Sequence, residues 1–122
     1  MVDSSGMTAS FQELIMLQPA EIQQRFSQIQ QTINQAEEVT RNDQGAPADI
    51  RDCIQKIAHE MPNAERVMRS NDQSRIVECI DRLEEMGDDA KRMVRSSQPS
   101  PQVASVVTRV HDVLSDLKHQ LH

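Results

Sequence analysis

Mostly apolar residues recur at alternating steps of four and three in four separate segments of the chain. The first two segments comprise Ile22, Phe26, Ile29, Ile33, Ala36 and Thr40, and then Ile50, Ile54, Ile57, Met61, Ala64 and Met68. The last two comprise Ile76, Ile80, Leu83, Gly87, Ala90 and Val94, and then Val103, Val107, Val110, Leu114, Leu117 and Leu121. This spacing places each set on one face of an α-helix, as an apolar seam of the kind that packs in a left-handed bundle. The sequence therefore predicts four amphipathic helices, and no strand-like alternation competes with them.

Turn-forming and capping residues separate the four segments. Pro19 opens the first helix, and the segments 42–46, 70–72 and 96–100 are rich in Gly, Pro, Ser, Asn and Asp. These boundaries predict helices over 19–41, 47–69, 73–95 and 101–122. Short loops between helices of matched length favour antiparallel neighbours. The predicted fold is an all-α, antiparallel up-down-up-down four-helix bundle.

Two features depart from this regular scheme. Pro62 lies inside the second helix and removes a backbone hydrogen bond, so we expect a kink or a short break at residues 59–61, or alternatively two shorter helices. Ahead of the bundle, Ser-Phe-Gln-Glu begins at residue 10 as a capping box, and apolar residues follow it. We therefore predict a short N-terminal accessory helix over 10–17. Residues 1–9 are expected to be disordered, which leaves residues 10–122 as a single helical-bundle domain.

The chain is acidic and poor in aromatic residues. Its 122 residues carry a formal net charge of −6 and include two Phe, no Tyr and no Trp. Phosphate binding needs a basic surface and base stacking needs aromatic side chains, so we expect no nucleic-acid partner. No apolar run approaches the roughly 20 residues that span a bilayer, and no Lys or Arg precedes the first apolar run as it would in a secretory signal. We expect a soluble, cytoplasmic protein with no membrane partner.

The two cysteines are Cys53 and Cys79. If the second and third helices form a hairpin around Asn71, these residues lie at levels that differ by roughly 15 Å, beyond the ~7 Å Cα separation that a disulfide can bridge. We therefore expect reduced, half-buried thiols, as is usual in the cytoplasm. No spacing places a base beside either thiol, and the chain has no Gly-rich phosphate loop, so we predict that the protein is not an enzyme.

Six carboxylates in the third helix raise the question of a metal site: Glu78, Asp81, Glu84, Glu85, Asp88 and Asp89. On a helical wheel five of them lie opposite the apolar seam, and Glu84 lies at its flank. A calcium loop needs oxygen ligands at alternate positions and glycine at the sixth, whereas from Asp81 the third residue is Leu83 and glycine is the seventh. We interpret the stretch as a solvated helix face without a metal.

The four histidines suggest alternative functions. Di-iron bundles resemble one another in using inward-facing Glu-x-x-His pairs, and this chain contains none. His119 and His122 could share a surface zinc ion, while His111 lies at the flank of the last seam. His59 suggests a histidine phosphotransfer bundle by architectural analogy, but Glu60-Met61-Pro62 follows it instead of the Lys-Gly of that motif. We predict no metal, cofactor or catalytic residue. A ligand-binding or phosphorelay-type bundle using His59 or the C-terminal histidines is the alternative function.

The outer surface of the first helix is nearly uncharged, because Arg25 is the only charged residue within 22–36. We call five of its glutamines the amide face: Gln23, Gln24, Gln28, Gln31 and Gln35. Amides cost less to desolvate than ions, and they both donate and accept hydrogen bonds. This face is therefore a candidate partner surface, together with Phe11, Leu14 and Ile15 of an accessory helix too short to be stable alone. We predict a non-enzymatic protein-interaction or regulatory module that binds a protein partner or itself as a homodimer.

Overall fold

A computed structural model describes residues 19–122 of the protein, which form four α-helices and, within that range, no strand. Helix α1 spans Pro19–Asn42, α2 spans Ala48–Arg69, α3 spans Gln73–Ser97 and α4 spans Pro101–Leu121. Each bound lies within two residues of its predicted position. The all-α four-helix prediction is confirmed. The predicted disordered segment and accessory helix lie outside the described residues.

The four helices pack as a ring in which each helix contacts its neighbours along the chain, and α4 also contacts α1. Near one end of the ring, the Ser100 hydroxyl at the start of α4 lies 2.7 Å from Asp43 Oδ2, just after α1. Further along, Arg109 donates to Gln35 Oε1 at 3.4 Å. The contacts therefore run in opposite chain order on α1 and α4. The complete antiparallel up-down-up-down arrangement stays a prediction, which this order supports.

The core of the bundle is built mainly from the four predicted seams, and it also includes Ala46, Cys53, Val67, Cys79 and Val106. All seam residues of α1 and α2 are buried, and so are those of α3 and α4 except Val94 and Leu121, which are partly exposed at the helix ends. Thr40 is a buried polar residue of this core, and its hydroxyl donates to the Ala36 carbonyl at 2.9 Å. Because this internal hydrogen bond satisfies the hydroxyl, Thr40 occupies an apolar seam position at little cost.

Helix α2 continues without interruption through Pro62. The prediction of a short break at residues 59–61, or of two shorter helices, is therefore wrong, while the kink there stays a prediction. Pro62 lies on the exposed side of α2, whereas Met61 and Ala64 beside it are buried in the core. A carbonyl that loses its helical partner on the exposed side can bond to water, and tertiary packing of the buried side holds the helix together.

Side-chain caps define the starts of α3 and α4, as the sequence pattern predicts. The Asp72 carboxylate accepts a hydrogen bond from the Arg75 backbone N–H, and the Ser100 hydroxyl accepts one from the Val103 N–H. These contacts satisfy N–H groups that have no partner within the helix. Asn71, in the turn between α2 and α3, has φ 59°, a left-handed conformation that Asn tolerates better than most residues.

Asp43 connects the turn after α1 to the start of α4. One of its carboxylate oxygens accepts from the Gly45 backbone N–H at 2.9 Å, and the other accepts from the Ser100 hydroxyl at 2.7 Å. The Ser100 hydrogen bond is the main cause that lowers the pKa of Asp43, and the Gly45 N–H and the positive charge of Arg51 lower it further. The folded protein therefore favours the ionised carboxylate at this junction.

We expect Asp43→Asn to destabilise the protein at neutral pH but not in acid. The pKa of Asp43 is lower in the folded than in the unfolded state. The ionised carboxylate therefore contributes to the stability of the fold at pH values above the unfolded-state pKa, which is near 4. That contribution is lost as the pH falls through the folded-state pKa. Thermal unfolding followed by circular dichroism at pH 7 to 3 measures the difference. Asp52→Asn, at an exposed position in α2, is the control. A difference in melting temperature between the parent protein and Asp43→Asn that does not become smaller in acid would contradict this account.

Candidate functional site

Helices α3 and α4 bring together four ionisable side chains that we call the ionic cluster: Glu84, Asp88, His111 and Lys118. The two carboxylates are four residues apart on α3, and the two basic residues are seven apart on α4, so each pair lies along one side of its helix. Gly87 lies between the carboxylates in sequence. A Cβ placed on Gly87 would be 3.5 Å from His111 Cα, so α4 approaches the α3 backbone closely at this point.

The distances within the ionic cluster define three contacts between an acidic and a basic side chain. His111 Nε2 lies 2.6 Å from Asp88 Oδ1 and 3.6 Å from Glu84 Oε2. The Lys118 ammonium donates to the other oxygen of Glu84 at 3.3 Å. Glu84 therefore lies between the imidazole and the ammonium, and each of its oxygens faces a different basic group.

Glu84 differs from the other carboxylates of α3 in its burial, because only 10% of its side chain is exposed. The prediction that the carboxylates of this stretch face water is therefore wrong for Glu84. The same prediction holds for Glu78, Glu85 and Asp89, which are exposed. Asp81 and Asp88 are partly exposed. The physical reason is the close packing of α4 onto α3, which covers the flank position of Glu84. A buried carboxylate is costly unless it is paired, and Lys118 and His111 supply the partners.

The imidazole of His111 is held with one nitrogen inside the ionic cluster and the other outside it. Its side chain is 15% exposed, and Nε2 points toward the two carboxylates of α3. Its Nδ1 is buried and has no hydrogen-bond partner. The nearest carboxylate on that side is Asp112, whose Oδ1 lies 3.5 Å away. His111 thus has one engaged and one unengaged nitrogen.

The other histidines lie at separate positions. The sequence suggests His119 and His122 as a zinc site, but the two side chains engage different partners. His119 Nδ1 lies 2.8 Å from the Ser115 carbonyl, and His122 Nε2 lies 3.0 Å from Asp81 Oδ1 on α3. His59 is exposed on α2. The structure therefore brings neither C-terminal histidine into the ionic cluster, and His111 is the histidine that joins it.

Both cysteines are free and buried, more fully than the half-burial expected from the sequence. Burial is the main cause that raises the pKa of each thiol, and the negative charge of Asp89 raises that of Cys53 further. The Cys53 thiol donates to the Met86 carbonyl at 3.4 Å. A buried thiol with a raised pKa is a poor nucleophile.

The amide face is exposed in the structure at all five of its positions. Gln24, Gln28, Gln31 and Gln35 follow the same steps of four, three and four as the buried seam, on the opposite side of α1. Gln35 also accepts a hydrogen bond from Arg109 of α4. The other predicted partner residues, Phe11, Leu14 and Ile15, lie outside the described residues.

None of the four described helices combines the length and the apolar character that crossing a bilayer requires. No protein-family model matches the chain, and no curated protein or solved structure matches it either. The function must therefore be argued from the residues themselves.

We expect Glu84→Gln to destabilise the protein by about 1–2 kcal/mol, because the substitution removes the buried carboxylate that pairs with Lys118. The loss is at the lower end of that expected for a buried pair, since Lys118 is 36% exposed. Glu85→Gln, one residue along α3 and exposed, should change stability by less than about 0.5 kcal/mol. Urea unfolding measures both variants. Equal effects of the two substitutions would show that the burial of Glu84 has no energetic consequence.

We expect Cys53 and Cys79 to react slowly with a disulfide reagent in the folded protein. Their burial and raised pKa values should slow the reaction at least ~10-fold relative to the chain unfolded in guanidinium chloride. Absorbance of the released thiolate at pH 8 follows both reactions. Rapid modification of either thiol in the folded protein would show that its helix opens readily or that the site is accessible.

Proposed function

We propose that the chain is a non-enzymatic helical interaction module that binds a second copy of itself through the amide face. The observation that carries this proposal is the exposure of all five glutamines on α1. The charged residue nearest to them in sequence, Arg25, is only partly exposed. On a helical wheel Arg25 lies about 100° from the middle of the amide face. The amide face is therefore an uncharged stripe on an otherwise charged protein.

Hydrogen-bonding capacity supports a second copy as the occupant. Each amide carries two donor hydrogens and an acceptor oxygen, so a surface made of glutamines is complementary to itself. A two-fold symmetric dimer requires this property, because the same patch contributes both sides of the contact. The continuous stripe of Gln24, Gln28, Gln31 and Gln35 also suits side-by-side packing of two α1 helices.

The charge of the chain supports the same choice of surface. The formal net charge of −6 makes two copies repel each other across most of their surfaces. An uncharged face reduces this repulsion where the copies meet, and its amides are less costly to desolvate than carboxylates or ammonium groups. A role in regulation and a cytoplasmic location stay predictions from the sequence.

A ligand-binding or phosphorelay-type bundle is the alternative function. Exposure of His59 on α2 is compatible with phosphoryl transfer, but Met61 is buried and Pro62 follows it where the phosphotransfer motif would place Lys-Gly. The participation of His111 in the ionic cluster favours ligand binding over phosphoryl transfer, because the ring faces two carboxylates. Incubation with a phosphoryl donor such as acetyl phosphate, followed by mass spectrometry of the intact chain, tests the phosphorelay alternative.

We expect Gln24→Lys with Gln31→Lys to convert a dimer into a monomer. Each lysine adds a positive charge that faces another lysine across a symmetric contact and must be desolvated there. Sedimentation velocity measures the mass, and circular dichroism checks that the helices persist. Gln55→Lys with Gln120→Lys is the matched control, because both positions are exposed glutamines on other helices. A monomeric parent protein, or a double variant that keeps the parent's dimer mass, would overturn the proposal.

A further inference from the structure

We propose that Glu84, Asp88 and His111 form a binding site for a divalent transition-metal ion of the zinc type. The inference is independent of the proposed self-association. One donor atom from each of these residues lies within 4.8 Å of the donors of the other two. The three residues come from two helices, so the packing of α3 against α4 assembles the site. The sequence alone predicted no metal site here.

The donor spacing is close to that of ligands around one metal ion. Zinc binds imidazole nitrogen and carboxylate oxygen at about 2.0–2.2 Å, which places two ligands of one ion roughly 3.0–3.6 Å apart. His111 Nε2 and Glu84 Oε2 are 3.6 Å apart. His111 Nε2 and Asp88 Oδ1 are 2.6 Å apart, a hydrogen-bond distance. Placing an ion between these two atoms requires the partly exposed Asp88 side chain to move outward.

One contact that is usual for a metal-ligating histidine is not made by His111. Such a histidine usually donates its second ring N–H to a carboxylate or a carbonyl, which orients the ring and fixes its tautomer. Here Nδ1 is buried without a hydrogen-bond partner, and Asp112 Oδ1 lies 3.5 Å from it. When a metal takes Nε2, the proton must be on Nδ1, where a small movement of Asp112 would engage it. The support for the site is therefore the convergence of one imidazole nitrogen and two carboxylates from two helices.

The balance of burial and exposure favours three protein ligands and an open coordination position. The Glu84 side chain is 10% exposed and lies where α3 packs against α4, so its conformational freedom as a ligand is restricted. Asp88 is 41% exposed, so water can reach the ion from that side. Lys118 contacts Glu84 Oε1, whereas Oε2 faces His111, so the ammonium leaves the donor oxygen free. The two carboxylates carry two negative charges toward the ion, and Lys118 shares that of Glu84.

The mixture of donors selects the class of ion. Calcium and magnesium prefer sites made wholly of oxygen ligands, whereas an imidazole nitrogen suits zinc and neighbouring transition metals. One nitrogen with two carboxylate oxygens therefore favours zinc, cobalt, manganese or iron in the divalent state. Zinc is the natural first probe because it has no redox chemistry and accepts tetrahedral geometry readily.

Isothermal titration calorimetry with zinc chloride tests this site directly in the full chain. We expect the parent protein to bind one zinc ion, and we expect His111→Gln and Asp88→Asn each to weaken binding at least ~10-fold. Asp88 is partly exposed, so Asp88→Asn should keep the fold if His111→Gln does not. His119→Gln is the matched control, since it removes an exposed histidine from the same helix and should leave binding unchanged.

Cobalt supplies an independent readout of the ligands. The visible absorbance of bound divalent cobalt should appear with the parent protein and with His119→Gln, and it should be absent with His111→Gln. No zinc binding by the parent protein at millimolar concentration, or equal binding by the parent and Asp88→Asn, would overturn the proposal. Sedimentation in the presence of a chelator tests self-association without metal, so failure of one proposal is distinguishable from failure of the other.

Discussion

Mutual burial of one apolar face on each of four helices is the constraint on which the rest of this structure depends. In proteins most of the stability of a helix comes from packing of its apolar face, and burying one large apolar side chain contributes roughly 1.5–3 kcal/mol. The seams from Ile22 to Thr40 and from Ile50 to Met68 are buried because the other helices cover them. The same burial carries α2 through Pro62 without a break. Tertiary packing thus outweighs a strong local helix breaker.

Packing of the seams also decides which polar groups leave solvent. Where α4 closes on α3 at Gly87, the flank of α3 becomes covered and Glu84 is buried with its basic partners. On the far side of α1, no helix of the described residues 19–122 covers the amide face, which is exposed. One packing arrangement therefore produces two distinct polar regions, a partly buried ionic cluster between helices and an open uncharged stripe.

These two regions belong to different helices and support two separate proposals. The amide face is the proposed surface for a second copy of the chain, and that self-association should depend on protein concentration. The Glu84, Asp88 and His111 site would hold an ion between α3 and α4, and metal binding there would stabilise the contact between those helices. The hydrogen bond between Asp43 and Ser100 connects α1, which carries the amide face, to α4, which carries His111 and Lys118.

The sequence by itself determined the helices, their bounds and their buried seams, because helical periodicity and capping are local properties of the chain. It also located the amide face on a single helix. Only the tertiary structure decided the burial of Glu84 and the approach of His111, from another helix, to Glu84 and Asp88. A residue at the flank of a seam is exposed or buried according to how closely the next helix approaches. That distance depends on long-range packing, here at Gly87, and no local pattern encodes it.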